Sequence, residues 1–207
     1  EIVYAAGALP IRIVSGNQPQ EMGNIHIPSF FCSFCRDCLA EGLTGSYDYL
    51  DGIAMAHTCR QISQTYESWC RHISPGYHYY LPFPALTENS QLKPWVVREM
   101  AEFKASLESF TGRPVTPELL QHAIAVYNTN RRRLTQLYRM RQAQAPAISG
   151  GLAMEAVLSS MFGDKAEHNT WLEALLKSPP APPDNHQPRL MVVGGENHDA
   201  ELIYLIE

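Results

Sequence analysis

Two short apolar segments that flank a helical pattern constrain the fold of this chain more than any other feature. The first covers residues 52–57 and lies between turn residues, which is typical of a buried parallel strand. The second covers residues 77–81, is rich in tyrosine and stops at Pro82, and a helix is predicted between them at residues 60–73. A strand, a helix and a second strand in this order predict an α/β fold with a parallel sheet. Ligands are then expected beyond the carboxyl ends of the strands.

Helices are predicted over most of the remaining chain. Thr116 followed by Pro117 is a strong signal for a helix start, because threonine caps the helix and proline suits its first position. Residues 11–14 are predicted to form a strand and residues 15–28 a loop. The other predicted helices cover residues 30–43, 94–112, 117–142, 152–162 and 167–177, and a strand at 189–195 precedes a last helix at 200–207.

A proline-rich segment at residues 178–188 is the clearest predicted domain boundary. We expect an N-terminal α/β domain that bears the cysteines, a helical segment packed on it, this linker, and the first βα unit of an incomplete second α/β domain. The corresponding ranges are 1–93, 94–177, 178–188 and 189–207. Since the chain starts without methionine inside one such domain and stops one unit into the next, we expect a piece of a longer protein.

The composition excludes several classes of protein. Hydrophobic residues make up 45% and charged residues 18% of the 207 residues, so the chain can bury a core and is not a disordered tail. The net charge of −5 argues against nucleic acid as a partner, since phosphate contacts require a basic face. No apolar run approaches the roughly 20 residues that span a bilayer, so no membrane association is expected. We expect a cytoplasmic protein.

Five cysteines lie close together in the sequence, which points to a function for their thiols. An odd number of cysteines does not favour a framework of disulfides, and in a reducing cytosol clustered cysteines indicate metal binding or reactive thiols. Thiolates select zinc, copper(I) or iron–sulfur clusters. The five are Cys32, Cys35, Cys38, Cys59 and Cys70.

The spacing of the cysteines leaves more than one kind of site open. Cys32, Cys35 and Cys38 resemble the start of a bacterial ferredoxin motif, but the Cys-x3-Cys-Pro that completes it is absent. A zinc ribbon needs a second pair of ligands, and Cys59 with His57 is the nearest source. Cys70, next to Trp69, is interpreted as a small packing residue.

Several segments, in order along the chain, are similar to a known family of proteins. They are Glu1–Pro10, Phe31–Phe34, Tyr47–Gly52, His57–Cys59, Leu81–Pro84, Thr116–Leu120, Ala123–Ile124, Tyr127–Asn128, Arg131 and Ile148–Gly150. Together they resemble the 2-hydroxyacyl-CoA dehydratase and benzoyl-CoA reductase family, in particular subunits like the D-component of 2-hydroxyglutaryl-CoA dehydratase. The resemblance extends over nearly all of the 207 residues.

The resemblance implies a fold and an activity. Subunits of this family are built from flavodoxin-like, three-layer α/β domains, and two related subunits pair as a heterodimer. Each cluster-bearing subunit holds a 4Fe-4S cluster through three cysteines, and one iron is left open to water or to the CoA thioester. An ATP-dependent iron–sulfur activator supplies single electrons, which either dehydrate a 2-hydroxyacyl-CoA or reduce a benzoyl-CoA-type aromatic ring.

Two cysteines correspond to cluster ligands under this resemblance. Cys32 matches the first ligand and Cys59 the second, while the third lies in a later domain of the family. Cys35 and Cys38 depart from the family pattern, and they are alternative ligands or small packing residues. No catalytic side chain is assigned.

A different class of function also remains open at this point. The chain could be a non-catalytic electron-transfer or structural metal-binding protein that uses Cys32, Cys35 and Cys38. As an isolated piece, it could also be a folded domain with free thiols. The sequence does not separate a dehydratase from an aromatic-ring reductase. The Cys-x2-Cys-x2-Cys run and the aromatic segment at residues 77–80 are slightly more similar to a benzoyl-CoA reductase subunit.

Overall fold

The computed structural model describes residues 1–16, 18–19, 21–84, 92–142, 146–180, 190–194 and 197–207. These ranges contain nine helices and one sheet of two strands. The elements are α1 (Ile2–Ala5), α2 (Glu21–Asn24), α3 (Ser33–Leu43), β1 (Gly52–Ala56), α4 (Arg60–His72), β2 (Tyr77–Leu81), α5 (Leu92–Thr111), α6 (Pro117–Met140), α7 (Gly150–Phe162), α8 (Lys165–Lys177) and α9 (Ala200–Ile206). The chain is therefore an α/β protein in which helices predominate.

The chain divides into two compact units. The sheet unit is Ile13–Gly112, and the helical unit combines Glu1–Arg12 with Arg113–Glu207. These limits differ from the domains expected from the sequence, since α5 belongs with the sheet and α9 with the helices.

The sheet unit is built around one strand–helix–strand crossover. β1 and β2 pair in parallel, with Gly52 opposite Tyr77 and Ala56 opposite Leu81. A parallel pair needs a crossover connection, and α4 supplies it. The core of this unit consists of Ile27, Leu39, Ile53, Tyr66 and Trp69.

Close packing of α3 on α4 depends on one glycine. A Cβ atom added to Gly42 in α3 would lie 2.6 Å from the ring of Trp69 in α4. Only a residue without a side chain lets the two helices approach this closely, so Gly42 fixes the distance between them.

The helical unit is organised by helix caps and a small apolar core. The side chains of Thr116, Ser149 and Asp164 accept hydrogen bonds from backbone N–H groups at the starts of α6, α7 and α8. Such caps satisfy donors that the helix itself leaves free. The core residues are Leu137, Ile148, Ala153, Ala156 and Leu172.

Most predicted elements are confirmed, but the strand predicted at residues 11–14 is wrong. These residues have no regular secondary structure. The Val14 N–H donates to the Tyr47 hydroxyl over 3.1 Å, and that hydroxyl donates to the Val14 carbonyl over 3.0 Å. The Tyr47 hydroxyl thus satisfies both backbone groups of Val14, while the Arg12 N–H donates to the Met161 carbonyl over 2.9 Å.

The last predicted strand is wrong where the structure describes it. Residues 190–194 are not a strand, and Met191 and Val193 are exposed. Residues 189 and 195 and most of the predicted linker, 181–188, lie outside the described residues. The helix that follows is confirmed as α9, which packs on α7. The sequence also missed α2, a four-residue helix inside a predicted loop.

None of the helices in the described ranges combines the length and the apolar character needed to cross a membrane.

Candidate functional site

Cys32 and Cys59 occupy the same structural position in two neighbouring helices of the sheet unit. Cys32 is the N-cap of α3 and Cys59 is the N-cap of α4, and both are exposed. The Cys59 sulfur accepts a hydrogen bond from the Ile62 N–H over 3.4 Å. Two exposed thiols at the starts of neighbouring helices are accessible to a metal ion or an electrophile.

A backbone hydrogen bond ties the start of α3 to the first turn of α4. The N–H of Cys32 donates to Oε1 of Gln61 over 2.9 Å. Gln61 is therefore a positioning residue, since its side chain holds the backbone of one thiol next to the helix that begins at the other.

Cys35 lies in the first turn of α3, close to both exposed thiols. It is 3% exposed, and its thiol makes hydrogen bonds with the side chains of Cys32 and Thr65. Burial raises the pKa of Cys35 to about 11, and the Thr65 hydrogen bond opposes this shift. Cys32 and Cys59 raise the pKa further through their charge. The structure thus brings Cys32, Cys35 and Cys59 into one neighbourhood.

The other two cysteines lie apart from this neighbourhood. Cys38 is buried one turn further along α3 and interacts electrostatically with Tyr47. Cys70 is half-buried near the end of α4, where it packs against the core and makes a hydrogen bond with Tyr66. Burial raises the pKa of the Cys70 thiol, which keeps it protonated.

A chain of hydrogen bonds runs from the carboxyl end of the sheet to the backbone of Cys59. Nδ1 of His57 lies 2.6 Å from the Tyr80 hydroxyl, which lies 2.7 Å from the Ser63 hydroxyl. Ser63 donates to the Cys59 carbonyl over 3.2 Å. With the Ser63 hydrogen used in this way, Tyr80 donates to Ser63 and His57 donates from Nδ1. Tyr80 of β2 and His57, the residue that follows β1, therefore support the turn that carries Cys59.

The residues near the thiols suit a soft metal but do not form a complete site by themselves. Within the ranges that the structure describes, no group of three or more His, Cys, Asp or Glu side chains is arranged to hold a metal ion. Cys32 and Cys59 nevertheless present two exposed sulfurs at helix N-termini, and this donor chemistry fits two ligands of an iron–sulfur cluster. At least one further ligand is needed.

Sequence reasoning found the thiols but missed the residues that position them. Gln61, Ser63 and Thr65 belong to a helix whose pattern shows only which face is buried. Their partners, in the same order, are Cys32, Tyr80 and Cys35. These partners are distant in sequence, and each contact depends on the direction of a side chain, which the sequence does not reveal. The signals that pointed to this region were the clustering of the cysteines, the resemblance to a known family and the position of Cys59 just beyond a predicted strand.

The helical unit holds a separate cleft that the sequence did not indicate. Its volume is about 440 Å³. His168 at its wall is buried, and both of its ring nitrogens are hydrogen-bonded, to Asn130 and to Ser159. No thiol lines this cleft, whose lining residues are Glu155, Ser159, Gly163, Asp164, Glu167, His168 and Trp171.

Comparison with known proteins identifies relatives of two activities. The chain is 26% identical over 178 residues to a benzoyl-CoA reductase subunit of Thauera aromatica, covering 85% of this chain and 46% of the relative. It is 28% identical over 203 residues to the beta subunit of (R)-2-hydroxyglutaryl-CoA dehydratase of Acidaminococcus fermentans, covering 94% and 52%. It is 24% identical over 183 residues to the (R)-phenyllactyl-CoA dehydratase beta subunit of Clostridium sporogenes, covering 85% and 47%.

These similarities extend through both compact units. The chain spans about half the length of the curated relatives that it matches. The model of the family described as 2-hydroxyglutaryl-CoA dehydratase, D-component, matches residues 1–207. The chain belongs to the 2-hydroxyglutaryl-CoA dehydratase D-component family.

Proposed function

We propose that this chain is the thiol-bearing part of an iron–sulfur subunit in a cytoplasmic CoA-thioester radical enzyme. The reaction is the dehydration of a 2-hydroxyacyl-CoA or the reduction of a benzoyl-CoA-type ring. The observation that carries the proposal is the pair Cys32 and Cys59, two exposed thiols at the N-caps of adjacent helices, in a member of this family.

Cys32 and Cys59 are the proposed ligands of a 4Fe-4S cluster. The cluster, when bound, supplies single-electron transfer to the thioester and an open iron that acts as a Lewis acid. A third cysteine comes from outside the 207 residues, and the longer chains of the relatives leave room for it. Cys35 and Cys38 are buried, so they are weaker candidates for ligands.

The chain's own contribution is to position and orient the two thiols. Cys32 and Cys59 are the N-caps of α3 and α4, which places both thiols at the surface. Gln61 holds the backbone of Cys32, while Ser63 and Tyr80 hold the carbonyl of Cys59. Such supporting contacts fix ligand orientation and tune the potential of a bound cluster.

The proposed assembly requires three partners. They are a CoA-thioester substrate, a related subunit that forms a heterodimer, and an ATP-dependent iron–sulfur activator that delivers the electron. We further propose that β1, α4 and β2 belong to a flavodoxin-like domain. The parallel pairing of the two strands through a helical crossover supports that fold.

The relatives include both a benzoyl-CoA reductase subunit and dehydratase subunits, so either reaction is compatible with the comparison. The two reactions differ in their substrate. An assay of the full-length protein with its activator and partner subunit should therefore compare a 2-hydroxyacyl-CoA with benzoyl-CoA. Turnover of one thioester assigns the reaction class, and turnover of neither contradicts the proposal.

The cluster assignment is tested by anaerobic reconstitution of the full-length protein with iron and sulfide. Cys32→Ser and Cys59→Ser should each lose the iron content and the visible absorption of the cluster. Cys70→Ser is the matched control, because Cys70 packs against the core away from the two thiols, and it should retain the iron.

Two outcomes would contradict this assignment. Unchanged iron content in both Cys32→Ser and Cys59→Ser would exclude these residues as ligands. Bound zinc that is lost only when Cys35 and Cys38 are replaced would instead favour a structural or electron-transfer metal site.

A further inference from the structure

The segment Cys32-Ser33-Phe34-Cys35 has the arrangement of a redox-active dithiol. It is a Cys-x-x-Cys sequence at the start of α3, which has 11 residues. The first cysteine is exposed at the N-cap, whereas the second is 3% exposed in the first turn. In a cytosolic α/β protein, this pattern is typical of thiol–disulfide chemistry.

Cys32, the N-cap of α3, and Cys35, in its first turn, are close enough for their side chains to interact. Residues three positions apart lie on the same face of a helix, and the thiols of Cys32 and Cys35 are within hydrogen-bonding reach. A disulfide forms only where the two side chains point toward each other. The placement of Cys32 at the N-cap and of Cys35 three residues later, on one face of α3, suits this requirement.

The other thiols are less suitable partners for Cys32. Cys38 lies a further turn along α3 and interacts electrostatically with Tyr47. Cys70 makes a hydrogen bond with Tyr66 in the core. The Cys59 sulfur accepts a hydrogen bond from the Ile62 N–H. Because Cys59 is the remaining thiol near Cys32, the experiment must distinguish a Cys32–Cys35 disulfide from a Cys32–Cys59 disulfide.

We propose that Cys32 and Cys35 form a reversible dithiol–disulfide pair that is oxidised by small-molecule disulfides such as oxidised glutathione. The similarity to known relatives does not assign this role to the pair.

The reaction proceeds by two exchange steps. The exposed thiolate of Cys32 attacks the small-molecule disulfide, forms a mixed disulfide and displaces one thiolate. Cys35 loses its proton, attacks the Cys32 sulfur and displaces the second thiolate. Overall, one small-molecule disulfide is reduced to two thiols, and the two cysteines are oxidised to one disulfide.

This pair would also control the proposed metal site. Oxidation removes the Cys32 sulfur from the set of available ligands, and reduction restores it. This consequence rests on the proposed function, whereas the disulfide itself does not depend on any metal.

Peptide mapping tests the pair directly. The full-length, metal-free, reduced protein is equilibrated with defined ratios of reduced and oxidised glutathione, and free thiols are then alkylated. Trypsin cleaves after Arg12, Arg36 and Arg60, so Cys32 and Cys35 share peptide 13–36, while Cys38 and Cys59 share peptide 37–60. We expect peptide 13–36 to lose both alkylation sites and two hydrogens as the oxidant increases, and to regain them with a dithiol reductant.

Two variants sharpen the assignment. Cys35→Ser lacks the resolving thiol, so it should accumulate a glutathione adduct on Cys32. Cys38→Ser is the matched control, because Cys38 is on the same helix and equally buried, and it should behave as the unmodified protein.

A cross-link between peptides 13–36 and 37–60 would overturn the proposal by identifying Cys59 or Cys38 as the partner. Retention of both alkylation sites in peptide 13–36 at every ratio would overturn it as well. Because the mapping uses metal-free protein, a disulfide without iron binding would contradict only the proposed function. Iron binding without a disulfide would contradict only this inference.

Discussion

The two compact units treat their polar side chains in opposite ways. In the helical unit, Asn130, His168 and Asn169 are buried and bonded to one another. In the sheet unit, Cys32 and Cys59 stand exposed at helix starts. The Cys59 sulfur accepts one backbone N–H, that of Ile62, and the Cys32 side chain interacts with that of Cys35.

This difference distinguishes polar side chains that stabilise the fold from polar side chains that are available for chemistry. A buried polar group that is fully bonded specifies one packing arrangement and costs stability only when a partner is removed. An exposed thiol at a helix start contributes little to packing and is accessible to a metal ion or an electrophile. Substitutions in the two units should therefore affect different measurements.

The largest loss of stability is expected for Asn130→Ala. The Asn130 amide donates to Nδ1 of His168 over 2.7 Å and to the Asn169 side chain over 3.0 Å. Its removal leaves two buried acceptors unsatisfied and should cost about 3 kcal/mol in the free energy of unfolding. Chemical denaturation measures the loss, and hydrogen exchange should locate it in α6 and α8.

Asn128→Ala is the matched control for this substitution. Asn128 is two residues away on α6, and its side chain accepts a hydrogen bond from the exposed Arg131. Equal losses in the two variants would contradict the distinction between buried and exposed polar groups.

The second effect is a dependence of stability on pH that arises from His168. Burial, and then the charge of Lys165, lowers the pKa of His168 below its ordinary value of 6.5. The unfolded chain therefore takes up a proton first as the pH falls. The stabilisation is complete above pH 6.5 and is lost as the pH falls toward the lowered pKa of the folded state.

Denaturation midpoints measured above and below pH 6.5 test this sign. The unmodified protein should lose stability on acidification, and His168→Gln should lose less, because glutamine does not titrate. If the stability of His168→Gln falls with pH as steeply as that of the unmodified protein, the pH dependence arises from groups other than His168.

The contrast between the units also explains which features the sequence could predict. Local signals are sufficient for Thr116 and Pro117 at the start of α6 and for the residues of β1 and β2, since caps, prolines and apolar runs act within a few residues. Cys32 and Cys59 were assigned by resemblance.

Features that depend on distant parts of the chain were not predictable. The Asn130–His168 contact joins residues 38 positions apart, and neither side chain belongs to a recognisable pattern. The apolar segment at 190–193 was predicted to be a strand because its composition suits one, but composition does not supply a neighbouring strand.

A smaller effect is expected for Tyr80→Phe in the sheet unit. The Tyr80 hydroxyl connects His57 with Ser63, and both partners can bond to water when it is removed. The cost should be about 1 kcal/mol in the free energy of unfolding, because no buried group is left unsatisfied. If iron binding depends on the orientation of Cys59, iron affinity should fall while the fold is retained. Tyr79→Phe, on the next residue of β2, is the control.

The smallest effect on stability, and the clearest contrast with Asn130→Ala, is expected for Cys59→Ser. Serine is a good N-cap residue, so its hydroxyl can accept the Ile62 N–H that the Cys59 sulfur accepts now. The free energy of unfolding should therefore change by less than about 0.5 kcal/mol. Iron binding should nevertheless be abolished, because serine removes the soft ligand. A loss of stability comparable to that of Asn130→Ala would show that Cys59 is a structural residue, and the distinction between the two units would fail.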